Sequence, residues 1–222
     1  MKLSHLTAIA ALAAGSLSLS AVAGPISLAH WTFEQSIPTT AGPYAAELGL
    51  NATSSFASAF HVSTATVYSN PAGNGSNESY SSNNWTAGDY YQFTTSTEGY
   101  ENITVQWDQT RSATGPTNFV LQWSLDGTSF SDLLTYEVAA ITWSTNPASY
   151  QPGSTFAAVA LPAAAADQSI IYIRLTSLDT TAAAGTNRVD DIIISGTLIP
   201  APGALALLAV AGIVGVRRRR NA

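Results

Sequence analysis

Carboxylates are the residues of this 222-residue chain best suited to do chemistry. Asp190-Asp191, Glu98 with Glu101, and Glu78 with Asp89 are the pairs to weigh. Two carboxyls flanking a bond are what glycoside hydrolysis requires. Neighbours on a strand point to opposite faces, however, so Asp190 and Asp191 do not converge. Little else supports catalysis. Beyond residue 23 the histidines are His30 and His61. The sequence has no cysteine nucleophile, Gly-x-Ser-x-Gly elbow, His-x-x-x-His pair or phosphate loop. The expectation is a non-enzymatic chain, with a small secreted hydrolase as the remote alternative.

Aromatic side chains offer a second chemistry, stacking on pyranose rings. Trp107 and Trp123 lie in register with aliphatic neighbours, and Trp31 sits in the first strand, so these three read as core. Trp85 borders a polar loop, and Trp143 lies between Thr142 and Ser144. These two, with Tyr90, are the ligand candidates. Arg111 follows a strand and could bind an anionic group or pair with a carboxylate such as Asp108.

The elements that must position these residues are strands. Ile103, Val105 and Trp107 alternate with polar residues, and Phe119, Leu121, Trp123 and Leu125 repeat the period. Asp89–Thr94, Leu133–Ile141, Thr155–Leu161, Ile170–Thr176 and Arg188–Ser195 read as further strands. Gly99, Gly115-Pro116, Asp126-Gly127, Pro152-Gly153 and Gly185 punctuate them. Asp126-Gly127 predicts a hairpin with a type I′ turn, both of whose central positions need positive φ. Between Gly24 and Ile199 no amphipathic helix appears, and Ala163–Ala166 is too short to stand alone. Asn70–Asn84 reads as a polar, low-complexity loop. Seven or eight strands at this spacing predict an all-β, antiparallel β-sandwich over residues 25–197.

Charge narrows the partners. Residues 24–199 hold all fourteen acids against three arginines (Arg111, Arg174, Arg188) and no lysine, a formal charge of −11. No basic patch exists to bind phosphates, so nucleic acid is not an expected partner. With no cysteine, stability must come from core packing rather than disulfides. Five Asn-x-Ser/Thr triplets, at Asn51, Asn74, Asn77, Asn84 and Asn102, read as loop composition.

Both ends read as addresses. Lys2, the Ala/Leu-rich stretch Leu6–Leu19 and Ala21-Val22-Ala23 form a signal peptide over residues 1–23. At the other end, Pro200-Ala201-Pro202 lies in a motif spanning 199–202. An uncharged run, Gly203–Val216, follows, and then Arg217, Arg218, Arg219 and Arg220. Fourteen helical residues span about 21 Å, short of a hydrocarbon core of about 30 Å. The arginines would hold their end in the cytoplasm.

This tail, residues 198–222, resembles the PEP-CTERM sorting signal of Gram-negative bacteria, with Ala201 where that family usually has Glu. The resemblance implies an exosortase-type membrane protease as partner. It also implies transient insertion of the 203–216 helix in the inner membrane, then release to the cell surface or matrix. A second resemblance rests on Leu121–Phe130, LQWSLDGTSF, similar to the Ser-x-Asp-Gly-x-x-aromatic hairpin of galactose-binding-like and carbohydrate-binding jelly rolls. In several of these modules acids of the first and last strands hold a structural calcium. That implies Glu34, Asp190 and Asp191 as ligands here, since calcium takes 6–8 hard oxygens. If Ile192 and Ile194 face the core, Asp190 shares their face and Asp191 points outward; either could be the ligand. The expected function is an exported surface or extracellular-matrix component with a structural or adhesive role within a polysaccharide-rich layer. The alternative is a carbohydrate-binding module for a specific glycan.

Overall fold

The computed structural model describes residues 24–200. The expected signal peptide, the helix at 203–216 and the arginines at 217–220 lie outside the described residues, as do Ala201 and Pro202 of the motif. Among the described residues no helix is long and apolar enough to cross a membrane.

The described residues form twelve strands. They are β1 (Ile26–Trp31), β2 (Tyr44–Ala45), β3 (Phe56–Phe60), β4 (Tyr68–Ser69), β5 (Tyr80–Ser82) and β6 (Tyr90–Thr95). Then come β7 (Tyr100–Arg111), β8 (Asn118–Ser124), β9 (Ser131–Glu137), β10 (Thr155–Ala160), β11 (Ile171–Ser177) and β12 (Asn187–Leu198). Sheet A runs β10-β7-β12-β5-β4, with β1 also paired to β12. Sheet B runs β2-β3-β6-β11-β8-β9. All pairings are antiparallel. From β5 to β8 the chain changes sheet at every strand, and it does so again from β9 to β12. This is an antiparallel β-sandwich with jelly-roll-like alternation.

Period-2 patterning places the core between the sheets. Ile103, Val105 and Trp107 of β7 meet Tyr91 and Phe93 of β6 and Ile171, Ile173 and Leu175 of β11, all nearly fully buried. Eight aromatics, Trp31, Phe33, Tyr80, Trp85, Tyr91, Phe93, Trp107 and Phe119, lose essentially all exposure. Burying each stabilises by roughly 1.5–3 kcal/mol, the scale of a disulfide at about 2–4 kcal/mol. Aromatic packing thus does the work that cysteines would do elsewhere.

Three expectations are corrected. The segment Asn70–Asn84 is not simply loop: it contains β5, whose Tyr80, Ser81 and Ser82 are all buried beside β12. The strand expected over Leu133–Ile141 ends at Glu137. From Val138 the chain leaves sheet B and crosses to sheet A, where Thr110 Oγ1 donates to the Ile141 carbonyl at 2.7 Å. The hairpin at Asp126-Gly127 exists, but it is not a type I′ turn. Gly127 has φ +71° and Asp126 is not among the positive-φ residues. Asp126 instead closes a longer loop, its Oδ1 accepting from the Thr128 and Ser129 amides and from Ser124 Oγ. These donors hold its carboxyl far below the usual carboxylate range.

At Gly127 a Cβ would sit 2.9 Å from the Tyr172 ring, at a φ that L-residues disfavour. Gly127→Ala should therefore destabilise the fold by about 1 kcal/mol or more. A urea midpoint lowered without a change of slope is the expected readout; an unchanged midpoint would show that the turn tolerates a side chain.

Candidate functional site

The residues singled out by sequence separate into buried and exposed groups. Trp85 is 1% exposed, donates from its indole to the Ser82 carbonyl at 3.0 Å, and packs edge-on against Tyr91 and Phe119. Trp143 is 4% exposed and donates to Ser154 Oγ. Neither ring can stack on a sugar without leaving the interior: Trp85 belongs to the core, and Trp143 is buried in the segment that covers sheet A. Arg111 spends its guanidinium on the carbonyls of Val138, Ser112 and Ala113, clamping the chain where it leaves β9. Tyr90 remains at the surface.

The acids nominated for calcium go to separate donors. Glu34 accepts from the Asn77 side chain and the Glu78 amide. Asp191 meets His30 Nε2 at 2.8 Å. Asp190 is fully buried and accepts from the Asn74 amide, Ser76 Oγ and the Asp191 amide. A bulge explains its position. Asp191 has φ +47° and the register with β7 shifts between Asp190 and Ile193. The parity of β12 therefore reverses at the bulge. Asp190 lies opposite Asp108 of β7, outside the core layer that holds Ile192 and Ile194. Asn74 ties the two acids together, its amide N–H on Asp190 and its side chain on Asp108 at 2.7 Å. Burial, then the Asp191 charge, pushes Asp190 up to about 8. Among the described residues no group of three or more His, Cys, Asp or Glu side chains is placed to hold a metal.

A catalytic-looking chain lies elsewhere. Ser82 Oγ is 3.0 Å from His61 Nε2, and His61 Nδ1 is 3.0 Å from Asp89 Oδ2. The second contact is close but poorly aligned for a hydrogen bond, leaving Nδ1 without a good partner. Asp89 is fixed by the Val62 and Thr86 amides. Serine, histidine and aspartate in this order are the parts of a hydrolase triad. Here all three side chains are buried, and Ser82 Oγ is shared with the Tyr91 hydroxyl. Burial pushes the His61 imidazole below its ordinary value, so it is neutral in the core. No substrate carbonyl can reach Ser82 Oγ; the chain is an interior polar network beside Trp85 and Tyr68.

The outer face of sheet B is partly exposed: Phe60 and Thr135 at its margins are open, while Thr176 and Val120 between them are buried. Its registers set side chains in rows that cross the strands. One row runs Phe60–Tyr90–Thr176–Val120–Thr135 over β3, β6, β11, β8 and β9. The next runs Ser58–Gln92–Arg174–Gln122–Asp132. Five strands at about 4.8 Å spacing span about 19 Å. Phe60, 48% exposed, stacks on Tyr90 at 5.4 Å and 22°. The Arg174 guanidinium lies 3.7 Å from the ring centres of both Tyr90 and Phe130. Its Nε donates to Gln92 Oε1 at 2.9 Å. Gln122 accepts from Thr176 and donates to Asp132. The result is a continuous band of ring, guanidinium, ring and amide. Sequence reading found only Tyr90 in this band. The signal for the rest was the polar complement of each period-2 strand. Phe130 is the aromatic of the hairpin motif noted above, turned onto Arg174.

No protein-family model matches the chain, and no curated protein matches it. Among solved structures it is similar to the CBM22-1 and GH10 modules of endo-1,4-β-D-xylanase 10B of Clostridium thermocellum, complexed with xylohexaose. The TM-score is 0.48 and the identity 16%, over 79% of this chain and 30% of that one. It is also similar to the K1 cleaved adhesin domain of Lys-gingipain from Porphyromonas gingivalis W83. Here the TM-score is 0.43 and the identity 13%, over 78% and 98% of the two chains. A third likeness is to TmCBM61 in complex with β-1,4-galactotriose, with TM-score 0.43 and 9% identity over 73% and 92%. With every TM-score below 0.5, none of these transfers a function or a residue role. The functional reading rests on the chain's own surface.

Asp190 makes stability depend on pH. Its folded-state value near 8 lies above the ordinary 3.8, so between those values the folded state binds more protons than the unfolded. That contribution is complete below about pH 4 and lost as pH rises toward 8. Asp190→Asn has no such proton to lose. The unsubstituted chain should lose stability relative to D190N from about pH 5 to about pH 8, by up to about 1.4 kcal/mol per unit. His61, shifted the other way, is common to both and cancels. Paired urea midpoints read the difference, and parallel pH curves would contradict the assignment.

Proposed function

We propose that the chain is an exported, non-catalytic binding domain whose sheet B outer face engages polysaccharide. The observation that supports this reading is the stack of Phe60, Tyr90, Arg174 and Phe130 across sheet B. Phe60, 48% exposed, and the ring edges of its stacked neighbours present rigid apolar area to pyranose rings with little entropy left to lose. The flanking, half-buried Gln92 and Gln122 amides are of the type whose donors and acceptors suit sugar hydroxyls. Adhesion within a polysaccharide-rich layer follows from such a surface. The Ser82–His61–Asp89 chain adds no support to the hydrolase alternative, because it is sealed in the core.

Binding is read on a glycan array with the full chain, followed by calorimetry on any hit. Phe60→Ala and Tyr90→Ala should each weaken affinity about tenfold, the loss expected of a central aromatic contact. An array with no signal above background would remove the polysaccharide reading.

We further propose that the address lies in Pro200–Arg220, processed by an exosortase-type protease. This reading is supported by the order of turn motif, apolar run and arginines in the sequence. Replacing Arg217–Arg220 with Ala should leave unprocessed chain in the membrane fraction, measured by mass against the medium fraction. Normal release of the substituted chain would count against it.

A further inference from the structure

We propose that Arg174 makes the sheet B face selective for a sugar carboxylate, so that the preferred ligand is a glycan carrying isolated uronic-acid units among neutral rings. This deepens the platform reading and rests on it. The described chain has three arginines and no lysine. Arg111 is spent on three backbone carbonyls. Arg188 donates to the Ala72 carbonyl and lies over Trp143 beneath the loop that covers sheet A. Arg174 differs from both. Its Nε is bound to Gln92, yet no partner is found for Nη1 or Nη2 among the described residues. It also has no ion pair there, where carboxylates outnumber arginines fourteen to three.

The geometry says what those free donors can take. Tyr90 and Phe130 both pack against the guanidinium, its central carbon 3.7 Å from each ring centre. Nη1 and Nη2, with no hydrogen-bond partner among the described residues, are the donors left for a ligand. An edge-on guanidinium matches a carboxylate with two parallel hydrogen bonds. The sandwich fixes the fork before binding, which removes an entropic cost that a free side chain would bear. Tyr90 and Phe60 continue in the adjacent row, where neutral rings would lie.

Charge sets the density of acid that the face accepts. The described residues carry a formal −11, which disfavours a polyanion. Asp132 ends the row that Arg174 occupies, two strands away, or about 10 Å. That is about one Debye length at ordinary salt. A second carboxylate bound beside the first would approach it. Sparse uronate units avoid this repulsion while keeping the bidentate contact.

The test uses the full chain and three probes: uronate-bearing oligosaccharides built on xylan, glucan and galactan backbones. Each is measured by calorimetry before and after reduction of its carboxylate to a hydroxymethyl group. At least one acidic probe should bind about tenfold tighter than its reduced form. Arg174→Gln should abolish that preference, so that its acidic and reduced probes bind within about twofold of each other. Arg174→Lys, which keeps charge but not the fork, should restore less than half of it. Equal binding of acidic and reduced probes by the unsubstituted chain would overturn the carboxylate inference and leave the platform standing. A preference that survives in Arg174→Gln would place the carboxylate elsewhere and overturn it too. No binding of any probe, acidic or reduced, would overturn the platform and the inference together.

Discussion

The antiparallel pairing of β7 with β12 is the constraint on which both faces of the sandwich depend. These are the two longest strands, twelve residues each. On one side β12 supplies Val189, Ile192 and Ile194 to the core, and β7 supplies Ile103, Val105 and Trp107. On the other side the same ladder sets Asp108 opposite Asp190. A bulge at Asp191 lets one strand serve both faces without breaking the core register. Two buried carboxyls at the centre of a sheet would be costly alone. Here Asn74 and Ser76 satisfy them, and burial keeps Asp190 neutral. The segment Ala72–Ser76 is thereby fastened over sheet A, and Gln151 is fastened by the same Asn74 amide group.

That fastening explains why the two outer faces differ. The outer face of sheet A is roofed at this end by two excursions, one through Asn74 and one through Ile141 and Trp143. Aromatic and acidic groups beneath the roof are structural. The excursion after β9 is drawn away to sheet A by Thr110 and Arg111. It therefore does not extend over sheet B, where Phe60 and Tyr90 keep part of their surface exposed among the described residues. A binding platform on one sheet is thus the complement of loop docking on the other.

The strands with a clean period of two were legible because apolar burial alone positions them: β6, β7, β8 and β11 fall where alternation predicts, whereas β12 was placed by its apolar run and its bulge at Asp191 was not foreseen. β5 was not, because Ser81 and Ser82 are buried through hydrogen bonds to Asn187, Tyr91 and His61 rather than through apolar area. A serine-rich segment looks like loop until its partners are known, and those partners are distant in sequence. Trp85 and Trp143 misled for the same reason. Their polar neighbours are hydrogen-bonding companions of a buried indole, not a sign of exposure. Arg174 was hidden differently. Its importance depends on Phe130 from the hairpin and Tyr90 from β6 meeting over one strand, which no local pattern encodes.

Satisfaction of polar groups separates the chemistry of the interior from that of the surface. Ser82, His61 and Asp89 have the types and distances of a nucleophile, base and orienting acid, yet Ser82 Oγ already serves Tyr91 and none of the three is open to solvent. Asp190 has a strongly shifted affinity for its proton, yet its oxygens already accept three donors. A perturbed titration or a suggestive constellation marks function only when some valence is left for a ligand. Arg174 meets that condition. It is held by two rings and one amide, and the Nη donors without a partner among the described residues are the part that a ligand could use.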